Sequence, residues 1–332
     1  MKKSFLLISL FMLIFEILAA QPFHSKHFTV TKLHDGVYAA IAINGGEAIC
    51  NAGIIDLGNA TLIFDPFMAL EPARELAKAA VQLTGHPVKY VVNSHFHNDH
   101  IGGDQIFGQA LLISTERTRA LIAKYQPQEI EDDKKSAPAA LADLKKKNLH
   151  RMDKHEADEH IMWTGYYEAL VHSSDSLILV LPQITFDHEL TLHGTKREVV
   201  LLSYGEGHTE SDAFLYLPSE RIAFMGDLLF IRNQPWLGDG DPVLWANYLD
   251  GVKRLNPLML IPGHGPVGNI SALDTMKLYF EEVKRQADTY IRQGTKPEKD
   301  SLLKSPSPYD QWFLSSFYKP NVQWQYERMT KK

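Results

Sequence analysis

Between positions 94 and 100 the chain reads Ser94-His95-Phe96-His97-Asn98-Asp99-His100, which places three imidazoles and one carboxylate within six residues. The apolar run 88–92 just before it is typical of a buried strand. Proteins of the α/β class place their chemistry in loops at the carboxyl ends of such strands. Imidazole and carboxylate bind zinc at about 2.0 to 2.2 Å, and in a turn this spacing can direct ligands at two adjacent metals.

The second half of the chain contains three further candidate ligands. They are His208, Asp227 and His264, which lie in the segments 205–209, 225–227 and 262–265. Each follows a strand-like run, and each is next to a glycine, which lets the backbone turn tightly. We therefore expect all three side chains to project from the same rim of the sheets as the first motif.

The rest of the sequence predicts an α/β architecture. Strand-like runs over 36–42, 52–56 and 60–65 precede a helix over 72–83 that closes at Gly85, and the strand 88–92 follows. Residues 115–172 are predicted to form a helical insertion with a break at Ser136-Ala137-Pro138. Strands are predicted again over 177–181, 184–186, 189–192, 198–202, 213–216, 221–225 and 258–261. A helix capped by Ser271-x-x-Asp274 should then run to about residue 293, ahead of a tail.

The ordered set His95-x-His97-x-Asp99-His100, His208, Asp227 and His264 resembles the metallo-β-lactamase superfamily of hydrolases over about residues 28–267. The resemblance implies a four-layered αβ/βα sandwich with its metals at one edge of two facing sheets. To this fold the chain adds the helical insertion over about 115–172 and a C-terminal helical extension. The corresponding domains are a catalytic domain over 21–270 and a C-terminal helix and tail over 271–332.

The resemblance also implies two zinc ions per chain. It assigns His95, His97 and His208 to the first ion and Asp99, His100 and His264 to the second, with Asp227 as the bridge. Asp65 matches an early aspartate of the family, which orients the metal loop and is not a ligand. The implied reaction is the attack of a metal-bound hydroxide on a carbonyl group, with Asp99 or Asp227 able to shuttle the proton.

Two positions bear on the substrate. The best-known zinc β-lactamases with a similar third-histidine segment carry cysteine where this chain has Asp227, whereas glyoxalase-II-like and lactonase-like relatives carry aspartate. We therefore predict cleavage of an ester, lactone or thioester of a small molecule, with β-lactam hydrolysis and a non-catalytic zinc-binding protein as the alternatives. Di-iron redox relatives use glutamate in place of His97, so zinc hydrolysis is favoured over oxygen chemistry.

The first residues of the chain predict its localisation, and its net charge bears on the type of partner. Residues 1–20 combine two lysines, an apolar core and small residues in the order of a secretory signal, which predicts a periplasmic or secreted protein. The apolar run is too short to span a bilayer, so no membrane association is expected after cleavage. The net charge of −6 opposes nucleic-acid binding and leaves a small-molecule substrate as the expected partner. The sequence does not indicate which oligomeric state the chain adopts.

Other residues are given less specific roles. His155 and His160 resemble a zinc motif but are five residues apart, so they are predicted to lie on a solvated helix face. The aromatic residues Trp163, Tyr166 and Tyr167 are predicted to pack in the core rather than at a pocket mouth. The segment 234–239 is a candidate pocket loop. Cys50 is the only cysteine, which excludes an intrachain disulfide, and it is predicted to be buried and inert.

Overall fold

The computed structural model describes residues 23–331, so the predicted signal segment 1–20 lies outside the described residues. The first sheet contains seven strands in sequence order. Neighbours from the first to the fourth strand pair antiparallel, and neighbours from the fourth to the seventh strand pair parallel. Its strands are β1 (Phe28–His34), β2 (Val37–Ala42), β3 (Ala52–Asp56), β4 (Thr61–Phe64), β5 (Val88–Val92), β6 (Leu111–Thr115) and β7 (Ile184–Phe186).

The second sheet contains five strands in the order β12-β11-β10-β9-β8. All neighbours are antiparallel except β11 and β12, which run parallel. Its strands are β8 (Glu189–His193), β9 (Glu198–Gly205), β10 (Asp212–Leu217), β11 (Ile222–Phe224) and β12 (Met259–Ile261). The parallel pair ends at the same edge, and Asp227 and His264 follow its two strands.

Alternating apolar residues create the layers of the fold. Successive side chains of a strand point to opposite faces of a sheet. In β4, Leu62 and Phe64 join the apolar cluster between the two sheets, whereas Ile63 packs outward towards α1 (Leu70–Thr84). In β10, Leu215 faces inward and Phe214 faces outward, on the side of α5 (Pro242–Arg254) and α6 (Ser271–Gln293). The four-layered αβ/βα sandwich is confirmed.

Helix α1 begins two residues before the predicted start and ends where the sequence indicates. Its buried residues, including Leu76 and Ala80, recur at helical spacing. Gly85 ends it with φ 74°, and its N–H donates to the carbonyl of Val81. Glycine adopts this left-handed conformation without the steric cost that a Cβ atom would add. The β-α-β unit that carries the metal loop is thereby closed.

The helical insertion differs from its prediction. Helix α3 (Glu116–Lys145) runs unbroken through Pro127 and Pro138, so the predicted break at 136–138 is wrong. The chain turns instead at 146–153, before α4 (Lys154–Ser173). Ala137 packs against Ala169 and Leu170 of α4, and this tertiary burial offsets the local cost of proline.

Three further expectations need correction. Residues 177–181 form no strand, because Leu179 and Leu181 pack with Leu121 of α3 instead of pairing in a sheet. Helix α6 starts at Ser271, but the capping box is absent and the Asn269 side chain accepts the Ser271 N–H at 3.0 Å. The tail contains a helix that the sequence analysis missed, α7 (Tyr318–Thr330), which packs on α6. No helix within 23–331 has the length and hydropathy needed to cross a membrane.

Candidate metal centre

Strand ends bring the seven candidate ligands to one edge of the two sheets. The loop after β5 carries His95 and His97, and the short helix α2 (Asn98–Ile101) carries the next two ligands. His208 follows β9, Asp227 lies in the turn after β11, and His264 follows β12. Ligand atoms of these residues form two groups, in each of which all atoms lie within 4.8 Å of one another: His95, His97, His208 and Asp227, and then Asp99, His100 and His264.

The first group is built from three imidazole nitrogens around one point. Nδ1 of His97 lies 3.0 Å from Nε2 of His95 and 3.1 Å from Nε2 of His208. One carboxylate oxygen of Asp227, Oδ2, lies 3.4 Å from Nε2 of His208 and 3.9 Å from Nε2 of His95. These four atoms can surround one metal ion, as in a tetrahedral zinc site.

The second group contains two imidazoles and the Asp99 carboxylate. Oδ2 of Asp99 lies 3.2 Å from Nε2 of His264 and 3.5 Å from Nε2 of His100. The other oxygen of Asp227, Oδ1, lies 3.0 Å from Nε2 of His100 and 3.4 Å from Nε2 of His264. Asp227 therefore presents one oxygen to each group, in the bridging position that the resemblance implies.

The chemistry of these atoms fits divalent metal ions. Nε2 of His100 and Oδ1 of Asp227 are buried and make no hydrogen bond. Such buried polar atoms cost free energy unless a cation or another partner satisfies them. The set contains only nitrogen and oxygen donors and no thiolate, which suits zinc and other divalent transition metals.

Electrostatics keep the donor atoms of three ligand side chains available. Burial lowers the pKa of His208 to about 3 and the pKa of His95 well below its usual value. Burial would raise the pKa of Asp227, but the neighbouring His100 and His264 hold it well below its usual range. Neutral imidazole and ionised carboxylate are the forms that bind metal, so these three side chains need lose no proton.

Asp65 holds the metal loop from behind and is fully buried. Its carboxylate accepts the N–H and O–H of Ser94, both at 2.8 Å, and lies 2.8 Å from Nδ1 of His100. The contact with Nδ1 leaves Nε2 of His100 to face the metal group. Gly226 has φ 51° and approaches this loop so closely that a Cβ atom would lie 2.5 Å from Ser94, which only glycine avoids. The orienting role predicted for Asp65 agrees with this geometry.

Asp239 is a functional candidate that the sequence analysis did not identify by itself. Its Oδ2 lies 3.2 Å from Nε2 of His97 and accepts the Trp236 Nε1–H at 2.9 Å. With Nε2 engaged by a carboxylate, Nδ1 of His97 is left free for the first metal group. The segment 234–239 was proposed as a pocket loop, and both Trp236 and Asp239 line the cavity at the centre. No spacing rule could pair Asp239 with a histidine 142 residues away.

A cavity of about 720 Å³ is lined by five of the seven candidate ligands and extends between α4 and the C-terminal segment. Trp163, Tyr166 and Tyr167 line it and are half-buried, so the prediction that they pack in the core is wrong. The reason is that α4 lies beside the ligands at the edge of the sheets and turns these rings into the cavity.

Two remaining expectations concern residues outside the centre. His155 is half-buried with its ring centroid 5.8 Å from that of Phe313, so it packs against the C-terminal segment instead of facing solvent. His160 is half-buried as well. Neither histidine belongs to a metal group among the described residues. Cys50 is buried as predicted, and burial raises the pKa of its thiol to about 12.

Comparison with known proteins agrees with this architecture. Residues 45–264 match the family model described as the metallo-beta-lactamase superfamily. The chain is 24% identical over 231 residues to the "Beta-lactamase-like protein 2 homolog" of Caenorhabditis elegans, covering 68% of this chain and 54% of that protein. It is 28% identical over 124 residues to the "Metallo-beta-lactamase type 2" of Bacteroides fragilis, and this match covers 36% of this chain and 47% of that protein.

The chain thus spans about half the length of these curated relatives. Among solved structures, it is similar to a metallo-beta-lactamase from Pontibacter korlensis with a TM-score of 0.55 and 20% identity. That similarity covers 76% of this chain and 99% of the other, and it concerns the fold. The chain belongs to the metallo-β-lactamase superfamily, whose members are generally hydrolases, and it carries a candidate His/Asp metal site.

Proposed function

We propose that this chain is an exported hydrolase that binds two zinc ions and cleaves an ester, lactone or thioester of a small molecule. The observation that carries the proposal is the position of Asp227, whose two oxygens face the two ligand groups separately. Asp227 can therefore hold two ions side by side. Two zinc ions at this position would supply a water nucleophile that ionises near neutral pH and would polarise the substrate carbonyl.

The chain itself contributes ligands, orientation and proton transfer. His95 and His97 offer nitrogen donors that Ser94 and Asp239 fix before any substrate arrives, and His208 offers a third donor. Asp99 keeps 15% of its side chain exposed and lines the cavity. Its carboxylate can take up the proton released as the carbonyl is attacked and return it to the leaving group. Asp227, the other carboxylate of the centre, is the second candidate for this step.

The identity of residue 227 supports oxygen and sulfur leaving groups. A carboxylate is a harder ligand than a thiolate and can span both ions. A lactam nitrogen is harder to expel, since the developing amide anion must be stabilised or protonated as the bond breaks. β-Lactam hydrolysis is the second candidate, because one of the relatives is named as a metallo-beta-lactamase. A non-catalytic zinc-binding protein is the third.

Steady-state kinetics on the zinc-loaded mature protein test these candidates. We expect kcat/KM for the best lactone, ester or thioester to exceed that for penicillins and carbapenems by at least about tenfold, which corresponds to about 1.4 kcal/mol. Asp227→Cys should weaken the ester activity. Efficient carbapenem turnover with negligible ester turnover would establish the second candidate, and no turnover of any class would establish the third.

Export and the class of partner are separate parts of the proposal. The charged start, apolar core and small residues of segment 1–20 support cleavage and release to the periplasm or medium. The net charge of −6 supports a small-molecule substrate over nucleic acid. Sequencing the amino terminus of protein recovered from outside the cytoplasm should find a start close to Gln21. A mature protein that still begins at Met1 would refute export by cleavage.

A further inference from the structure

The cavity has an aromatic wall, which we define as Trp163, Tyr166, Tyr167, Trp236 and Phe317. The rings contact one another in sequence. The ring centroid of Trp163 lies 5.5 Å from that of Tyr166 and 6.0 Å from that of Phe317, and Phe317 lies 5.6 Å from Trp236. Edge-to-face and tilted contacts at such distances favour a stable cluster. The wall is therefore one continuous surface, although its rings come from three separate segments.

The aromatic wall is joined to the metal centre through hydrogen bonds. Trp236 donates its Nε1–H to Asp239, and the same carboxylate oxygen lies 3.2 Å from Nε2 of His97. The Asp239 side chain alone thus links Trp236, the last ring of the wall, to the candidate metal ligand His97. A substrate whose carbonyl reached the metal centre would have its neighbouring groups beside this wall.

The rings of the aromatic wall are more exposed to solvent than the aromatic rings of the core. Trp245 and Tyr279 are fully buried, whereas every ring of the wall is only half-buried and faces the cavity. Apolar area that remains in contact with water is area that a ligand can cover with a gain in free energy. The cavity, at about 720 Å³, is far larger than a short acyl group needs, and it falls within the size range of pockets that enclose whole small molecules.

Part of this wall lies outside the common superfamily domain. Phe317 is beyond the matched residues 45–264, whereas Trp163 lies on α4 within them. Glu159 of α4 fixes the two segments together by accepting the Ser315 N–H at 2.7 Å. This part of the wall therefore depends on the contact between α4 and the C-terminal segment, and it is separate from the strand ends that carry the metal ligands.

From these observations we infer that the substrate carries an aromatic or similarly bulky apolar group next to the carbonyl that is cleaved. This inference rests on the proposed function and specifies its substrate class. The aromatic wall stacks on the apolar group, while the metal centre receives the carbonyl. Most of the resulting selectivity is expected in KM, because the wall contacts a part of the substrate that does not react.

The test uses two thioesters of the same thiol, an acetyl and a phenylacetyl derivative, with the zinc-loaded full mature chain. We expect kcat/KM for the phenylacetyl compound to be at least about tenfold higher. Trp163→Ala should reduce this ratio to about threefold or less. Trp324→Ala is the matched control, since this tryptophan lies on α7 outside the cavity lining, and it should keep the ratio. Phe317→Ala is a second test variant in case Trp163→Ala does not fold.

Binding provides a readout that does not depend on turnover. By calorimetry, phenylacetate should bind the wild-type chain at least about tenfold more tightly than acetate, and Trp163→Ala should lose this difference. Equal binding and equal turnover of the two acyl groups would overturn the inference while leaving the proposed hydrolase intact. Absence of turnover with either thioester and with every lactone, ester and β-lactam of the kinetic panel, together with selective phenylacetate binding, would overturn the hydrolase proposal and keep the aromatic site.

Discussion

The metal centre and the aromatic wall lie in the same cavity but are built by different means. Ligands such as His208 and His264 directly follow strands of the common domain, and Asp65 fixes the metal loop by buried hydrogen bonds. The wall combines Trp163 and Phe317 from segments that meet only through tertiary packing. From this difference we expect the reaction type to depend on the edge of the sheets that carries the ligands, and the choice of substrate to depend on the contact between α4 and the C-terminal segment.

The largest effect should come from the metal centre. His208→Ala removes one nitrogen of the first group and should lower kcat/KM by at least about a hundredfold, because even partners behind metal ligands cost 10–100-fold. His193→Ala is the control, since this side chain is 75% exposed on β8, and it should stay within about twofold of wild type. Equal losses at the two positions would show that the catalytic metal lies elsewhere.

Asp239 connects the two regions, so its removal should affect both. Asp239→Ala takes away the carboxylate that holds Nε2 of His97 and should weaken zinc affinity, measured by chelator competition, by about tenfold or more. Asp288→Asn removes an exposed carboxylate on α6 that pairs with Arg292 and should leave zinc affinity unchanged. Unaltered zinc affinity in Asp239→Ala would mean that His97 needs no orienting partner.

The aromatic wall should respond to a change that leaves the metal centre alone. Glu159→Gln weakens the contact between α4 and Ser315, and it should lower the free energy of unfolding by about 1 kcal/mol. It should also raise KM for an aromatic substrate about threefold with little change in kcat. Glu168→Gln is matched to it, since Glu168 lies on the same helix and pairs with Lys145 of α3. If both variants raise KM alike, the C-terminal segment does not shape the cavity.

The smallest effect concerns the scaffold behind the metal loop. Burial raises the pKa of Asp104 well above its usual value, against the opposing hydrogen bond from Asn93 at 3.0 Å. A raised pKa in the folded state means that stability falls as pH rises from the unfolded value, about 3.9, through the folded value. Asp104→Asn keeps a carbonyl acceptor without this titration. In urea unfolding, the free energy of unfolding of the variant should therefore rise relative to that of the wild type as the pH increases. Parallel pH profiles of the two unfolding free energies would contradict this.

Much of the centre and the common fold could be predicted from the sequence. Strands such as β3, β5 and β7 are short runs rich in apolar residues, and the structure places each at the predicted residues. The ligands lie at one rim because the strands that they follow belong to the same two sheets. The spacing of the first motif and the glycines beside His208 and His264 are therefore sufficient to predict that these ligands lie together. These signals are local, and in natural sequences local preferences generally agree with the final fold.

The remaining features depend on contacts between distant segments. Helix α3 continues through Pro138 because Ala137 is buried against α4, and no local rule anticipates that contact. The half-buried state of Trp163 depends on where α4 lies, and the partnership of Asp239 with His97 spans most of the domain. Packing of this kind overrides propensity, which is why the sequence alone predicts a core position for Trp163, Tyr166 and Tyr167.

Metal content measured together with activity tests the central claim most directly, that Asp227 holds two zinc ions side by side. The mature protein, loaded with zinc and dialysed, should contain close to two zinc ions per chain, and Asp227→Ala should retain at most one. Chelation should abolish turnover, and zinc should restore it. A wild-type protein that never exceeds one zinc ion per chain, or a metal-free preparation with full activity, would contradict the account.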